Sequence, residues 1–301
     1  MTHPYATDEF ARSLRHIGEA LQIPEWGCNV LVRPIVGKLR DAVGTYPIAL
    51  LGRNADLAGG LARLRAERIV SVVLVLDDFH RPDRDLLQSA FSFFRPFKTH
   101  YIRRAASVPV TSSKWHRYNV RRALKAVRTG VLDLNKDAQE WKRLYDTLIE
   151  RHGLSSFHDL PAEHFAALAN LEGITTIGAW VGDELVSAHI WAHDDDYVHS
   201  HLAASSELGY ATGAAYAVNH ASIARFSNAR VINLGGTAGR LDDPNDGLAR
   251  FKSGFADGTA QSYLCGAVLR PRDYEQLVDL FEANGPRDYF PAYRAGAVPL
   301  K

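Results

Sequence analysis

The chain has 301 residues, of which 46% are hydrophobic and 23% charged, and its formal net charge is +1. That balance fits a soluble globular protein with one large domain or two ordinary ones, and it excludes a polycation that binds polyanions over its whole surface. Two distant cysteines, Cys28 and Cys265, exclude a disulfide framework and a CxxC metal motif, so reduced buried thiols are expected.

No apolar run reaches the roughly 20 residues of a membrane span. The first ten residues lack the basic start and apolar core of a signal peptide, so a cytoplasmic location is expected.

In chain order, Phe10, Leu14, Ile17 and Leu21 predict a helix over 7–22, capped by Thr7 or Asp8. Val30–Ile35 predicts a strand, Ala55–Glu67 a helix, Ile69–Leu76 a buried strand, Pro82–Phe94 a helix and Phe97–Arg103 a strand. The stretch Val108–Ser113 is small, polar and helix-breaking, and reads as a linker. A helix over Trp115–Arg128 follows, stopped by Gly130, then a strand over Val131–Leu134.

Helices are predicted at Ala138–His152, ended by Gly153, and at Pro161–Leu171. Three strands come next, Thr175–Val181, Leu185–Ala192 and Tyr197–Ala203, with Gly182-Asp183-Glu184 as a hairpin turn and Asp194–Asp196 as a second turn. A helix over Gly213–Phe226, a strand over Val231–Leu234, a helix-like loop, a strand over Ser262–Leu269 and a helix over Tyr274–Ala283 complete the chain. A meander followed by β-α-β is an α+β pattern with a mixed sheet.

The region 230–255 is the most chemically suggestive. A short strand runs into a glycine corner at Gly235, Gly236 and Gly239. A loop with Asp242, Asp243 and Asp246 follows, then Phe251-Lys252 and Gly254-Phe255. A lysine delivered beside an aromatic ring and a glycine suits the stabilisation of a developing oxyanion. A solvated surface lysine is the common alternative.

Four sequence blocks carry a resemblance. They are Arg-Tyr-Asn-Val-Arg-Arg-Ala-Leu-Lys-Ala (117–126), His-Ser-His-Leu-Ala-Ala-Ser (199–205), Asn-Leu-Gly-Gly (233–236) and Leu-Ala-Arg-Phe-Lys-Ser-Gly-Phe (248–255). In this order they resemble the Fem family of aminoacyl transferases, whose members are built of two domains with the fold of the general N-acetyltransferases (GNAT). The resemblance covers about half the chain, chiefly the C-terminal part. The chain lacks the long helical hairpin that some members carry, is shorter than the cell-wall enzymes, and shows no clear copy of the residues that hold a nucleotide-linked peptidoglycan precursor.

The resemblance implies two tandem GNAT-like domains, each a mixed sheet flanked by helices, over 1–109 and 110–270, with 271–301 as a C-terminal helix and tail packing back on the first domain. It implies amide-bond formation between an amino acid delivered by aminoacyl-tRNA and an amine of a peptide or small molecule. No cofactor is implied beyond the tRNA-linked co-substrate, with acyl-CoA as the alternative donor.

Lys252 with Phe251 is the catalytic expectation. His199 and His201 alternate on one strand face and are candidates to accept a proton from the attacking amine, against the reading that they are structural. Tyr197, Tyr210, Gly235, Gly236, Trp180 and Trp191 are expected to line the substrate cleft. Adding His189, His193 and the Asp194–Asp196 turn invites a metal reading, which the absence of helical HxxxH spacing disfavours.

From Leu86 to Leu132 the chain has no acidic residue, while arginines and lysines recur among Phe94, Phe97, Tyr101, Trp115 and Tyr118. Lys98, Arg103, Arg104, Lys114, Arg117, Arg121, Arg122 and Lys125 are expected to meet tRNA phosphates, or to form a solvated face paired with the acids of 133–150. The glycines of Glu207–Gly213 can form a pocket of backbone N–H groups before a helix, although Glu207 and Leu208 stand where a CoA-binding loop is basic and glycine-rich. A binding module without catalysis is the alternative of another class.

Overall fold

A computed structural model describes residues 1–104, 113–152, 160–237, 246–281 and 289–295. Most of the predicted linker, the Gly153 stop, Gly239, Asp242 and Asp243 lie outside these residues. The protein is α+β and consists of two compact units, residues 5–97 with 261–301 and residues 1–4 with 98–260. The two spans interleave along the chain, and the boundaries fall at 97/98 and 260/261.

In the 5–97 unit, α1 (Asp8–Ser13) precedes a sheet in the order β1 (Glu19–Ile23), β2 (Cys28–Val36), β3 (Leu39–Gly44), β4 (Ile69–Leu76) and β11 (Gly258–Val268). Helices α2 (Leu57–Ala66), α3 (Arg84–Ala90) and α10 (Pro271–Leu280) complete it. The predicted 7–22 helix is therefore cut short. Ser13 Oγ donates to the Phe10 carbonyl as the helix ends, and Gly18 presses so close to β2 that a Cβ would stand 2.7 Å from the Val32 carbonyl oxygen. Glu19–Ile23 then pairs antiparallel with Cys28–Val32.

Both cysteines sit in the core of this unit, where burial pushes each thiol up to about 12. A second cluster around Val70, Leu277 and Tyr293 holds α10. Buried Asp41 receives Arg33, Arg294 and the Tyr293 hydroxyl, fastening residues 292–294 to β3.

The 98–260 unit takes its first strand from β5 (Phe93–Arg104). After α4 (Lys114–Ala126) come β6 (Arg128–Val131), α5 (Ala138–His152), α6 (Ala162–Leu168), and the meander β7 (Ile174–Val181), β8 (Glu184–His193) and β9 (Tyr197–Ser205). Then follow α7 (Glu207–Thr212), α8 (Ala214–Arg225), β10 (Val231–Asn233) and α9 (Gly247–Ser253). The strand order is β5-β10-β9-β8-β7-β6. Helices cover both faces: α8 packs on β7 and β8 and against α4, while α5 packs on β8 and β9. Gly130, predicted as a helix stop, lies in β6 opposite Gly178; α4 ends earlier, at Val127.

β10 is the pivot. It runs parallel to β9 over Val231–Asn233 and antiparallel to β5. Beyond Asn233 the chain stays with β5, since the Leu234 N–H donates to Tyr101 O at 2.8 Å and the Tyr101 N–H to Gly235 O at 3.1 Å. β9 instead continues to Ser205 against β8. The two parallel strands therefore part company at His199.

Candidate active site

The glycine corner follows from this parting. Gly235 adopts φ +77°, which only glycine takes without strain, and a Cβ on Gly236 would lie 3.2 Å from the Thr99 carbonyl oxygen of β5. The fully buried Asn233 fixes the turn. Its Oδ1 accepts the Gly235 N–H at 2.8 Å and lies 3.2 Å from His100 Nδ1, while its Nδ2 donates to the Tyr197 hydroxyl at 2.9 Å. Because an amide oxygen only accepts, His100 carries its proton on Nδ1.

Two lysines from different elements converge on this corner. Lys252, on α9, donates from Nζ to Gly236 O at 2.6 Å, and Lys98, on β5, donates to Thr237 O at 3.1 Å. Asp246 caps α9 by accepting the Leu248 N–H, which sets the helix that carries Lys252. Burial of the Lys252 ammonium, reinforced by Lys98 and partly offset by Asp246, brings its pKa down to about 7. A desolvated pair of cations has the electrostatics of an anion site, and it favours any ligand that brings negative charge.

The neighbours of Lys252 face the other way. Phe251 meets Tyr216 at 4.9 Å and Phe255 at 5.3 Å between ring centres, and Phe255 meets His116 at 5.6 Å. A Cβ on Gly254 would fall inside the His116 imidazole. His116, buried on α4, lies 3.1 Å through Nε2 from the Phe251 carbonyl and 2.9 Å through Nδ1 from Ser113 Oγ. The carbonyl can only accept, so Nε2 bears the proton and Ser113 donates to Nδ1. A cavity of about 290 Å³ opens beside this ring, lined by Ser113, Trp115, His116, Arg250, Ser253 and Gly254.

The histidines form a buried row. His199 lies 5.9 Å from His100 and His201 lies 6.1 Å from His164, both between ring centres. His189 Nε2 is 2.7 Å from Ser200 Oγ. Burial, with charge from neighbouring histidines, holds His199 and His201 well below the ordinary imidazole range. Burial, aided by Lys252, brings His189 to about 3. Imidazoles so placed are neutral at pH 7 and accept protons poorly, which weakens the proton-acceptor expectation for His199 and His201. Among the described residues, no three His, Cys, Asp or Glu side chains are placed to hold one metal ion.

The other expected site residues divide. Gly235, Gly236, Lys252 and Lys98 come together at the corner, Tyr197 reaches it through Asn233, and Phe251 turns away to pack on Tyr216 and Phe255. Trp191 is fully enclosed between His189 and Phe226, so it is a core residue and not a cleft wall. Trp180 carries the Arg128 guanidinium at 4.6 Å on β7, three strands from β10 and thus roughly 14 Å away across the sheet. Tyr210 is exposed on α7 under Arg151.

Among the basic residues, Arg103 is a correction. It is buried, its Nη1 donates to Phe255 O, and it cannot meet a surface phosphate. Arg104 is exposed and tied to Asp257. Lys114, Arg121, Arg122 and Lys125 are exposed on α4 together with Trp115 and Tyr118, while Arg117 is half-buried.

The Glu207–Gly213 stretch is also corrected. It forms α7, capped by Ser206, with Gly213 at φ +71° as the joint to α8. Gly209 allows this helix to press on β8, since a Cβ there would collide with the Val186 carbonyl oxygen. Gly209→Ala is expected to cost about 1–3 kcal/mol of stability through overpacking, read from urea unfolding; an unchanged midpoint would contradict that packing role.

Asn233, quoted within the Asn-Leu-Gly-Gly block, and His116, a donor within the basic 86–132 stretch, are site residues to which the sequence pattern gave no role at this corner. Asn233 stands at a strand end before two glycines, a signal available in the sequence. His116 meets a carbonyl 135 residues away, which no local spacing encodes.

Residues 114–237 match the family model of the acetyltransferase (GNAT) domain. The C-terminal DUF2156 domain assigned to a lysylphosphatidylglycerol synthetase from Agrobacterium fabrum has the same fold, with TM-score 0.63, 11% identity and coverage of 90% of this chain and 92% of that one. FemX matches with TM-score 0.59 and 14% identity over 82% and 86% of the two chains. L-PGS from Bacillus licheniformis matches with TM-score 0.54 and 12% identity over 86% and 91%. No curated protein sequence matches the chain. Among the described residues, no helix is long and apolar enough to cross a membrane.

Proposed function

We propose that this protein is a cytoplasmic aminoacyltransferase that joins an amino acid from aminoacyl-tRNA to an amine of a peptide or small molecule. The convergence of Lys252 and Lys98 on the glycine corner carries this reading. The acceptor amine attacks the ester carbonyl, a tetrahedral oxyanion forms, the carbon–oxygen bond to the ribose breaks, and the amine proton is released as the ribose hydroxyl is restored. Lys252 in its ammonium form stabilises the oxyanion, and with a pKa of about 7 it can hand a proton to the departing ribose oxygen. The exposed face of α4 offers cations for phosphates and Trp115 and Tyr118 for unpaired bases. The fold shared with FemX and with the lysylphosphatidylglycerol synthetase domain supports the same class.

The match of 114–237 to an acetyltransferase domain favours acyl-CoA as a second reading of the donor. Against it, α7 opens with Glu207 and Leu208, so its first turn carries a carboxylate where a pyrophosphate would need a basic loop.

A transfer assay with a mixed pool of charged tRNAs separates these readings. Amide product abolished by RNase is the expected result; turnover with acyl-CoA and indifference to RNase would replace the donor, and salt-dependent RNA binding without product would leave a binding module. In the same system, Arg121→Gln, Arg122→Gln and Lys125→Gln together are expected to weaken tRNA binding and to flatten the log–log salt slope by about 2–3. An unchanged slope would move the tRNA off α4.

A further inference from the structure

We infer that His116 is a positioning residue for Lys252: its imidazole seats α9 so that the lysine meets the glycine corner. The inference rests on the proposed role of Lys252. Three independent contacts fix the ring. Ser113 Oγ holds Nδ1 at 2.9 Å, the Phe251 carbonyl takes the Nε2 proton at 3.1 Å, and Gly254 leaves the space that the ring fills. Phe255 and Tyr216 close its edges. The contacted residues, Phe251 and Gly254, bracket Lys252 within α9 and its cap. His116 itself belongs to α4, the helix with the exposed basic and aromatic face. A ligand engaging α4 therefore has a direct mechanical connection to the residue that meets the reacting charge.

The consequence is specific. Loss of the Nε2–H donor frees the last turn of α9, and the Lys252 ammonium leaves its desolvated seat beside Lys98. His116→Phe keeps the ring volume and removes the donor, whereas His116→Gln keeps an N–H at the position of Nε2.

The test measures the pH dependence of Lys252 acylation by a small amine-reactive reagent, read by mass spectrometry of its peptide, alongside kcat and KM for transfer. In H116F the apparent pKa of Lys252 is expected to rise by about one unit or more. kcat should fall by about 10- to 100-fold with KM nearly unchanged. H116Q should restore both. A folded H116F protein whose Lys252 titrates as in the wild type overturns the inference. Should H116F not fold, Gly254→Ala displaces the ring from the opposite side and is expected to raise the Lys252 pKa likewise; a folded G254A protein with an unshifted lysine overturns it equally. The labelling readout does not depend on catalysis, so a failure of the transferase reading and a failure of this positioning role give different results.

Discussion

Lys252→Met is expected to lower transfer by about 10²- to 10³-fold, the effect of removing one preorganised donor to an oxyanion. Methionine keeps the length of the stem and its packing beside Gly235 and Gly236, so the loss should appear in kcat. The same substitution should raise stability at low pH, and the sign follows from the lysine's titration. Its folded pKa of about 7 lies below the ordinary 10.5 because burial and Lys98 disfavour the cation. Below pH 7 both folded and unfolded chains carry the proton, so the full cost of the buried charge is present. Between pH 7 and 10.5 the unfolded chain holds the proton and the folded chain releases it, so stability rises with pH. Unfolding curves for wild type and variant should therefore diverge most at pH 5–7 and converge towards pH 10. A variant that is less stable than the wild type at pH 6, with full activity, would show Lys252 to be a structural clamp.

The second large effect is acid sensitivity. His189, His199 and His201 are all held neutral by burial, with pKa values far below the ordinary imidazole value of 6.5. Below pH 6.5 the unfolded chain takes up protons that the folded chain refuses, so stability is lost as pH falls. Each such histidine contributes a slope of up to about 1.4 kcal/mol per pH unit, so three contribute up to about 4. Urea unfolding followed by the fluorescence of buried Trp141 and Trp191 between pH 7.5 and 5 checks this. A slope corresponding to fewer than one proton would mean that the row is solvated and titrates normally.

Much of the architecture around the site was legible before any coordinates. The meander β7–β9 announces itself by three strand-like runs in succession separated by Gly182-Asp183-Glu184 and Asp194–Asp196, and Val231 to Gly236 reads as a strand entering a turn. The failures have definite causes. Phe10, Leu14, Ile17 and Leu21 satisfy a helical period, but sequence spacing cannot reveal that Gly18 lies on Val32 and that Glu19–Ile23 has a pairing partner.

On β5, Lys98 and Arg103 look equivalent in a count of cations. Their positions differ by an odd number along a strand, so they leave opposite faces, one towards Thr237 and the other towards Phe255. Trp191 has the composition of a ligand-stacking residue, yet its place beside His189 on β8 puts it in the core. The placement of Phe-Lys-Ser-Gly-Phe was partly visible as well. The lysine stood out, whereas the roles of Gly254 and Phe255 as the seat of His116 depend on a helix more than a hundred residues away.

The interleaving of the two units bears on how the protein is made. Residues 5–97 are synthesised first, but their sheet ends on β4, whose neighbour β11 lies in residues 258–268. Until those residues leave the ribosome, the apolar edge Ile69–Leu76 has no partner on that side, and the 98–260 unit is completed in the interval. The earlier-born unit is thus the later to close. An unpaired, β-branched edge strand is a template for association with other chains. During translation, then, the vulnerable species is a nascent chain with one finished unit and one open sheet, and the emergence of residues 258–268 closes that edge of β4 and removes the hazard.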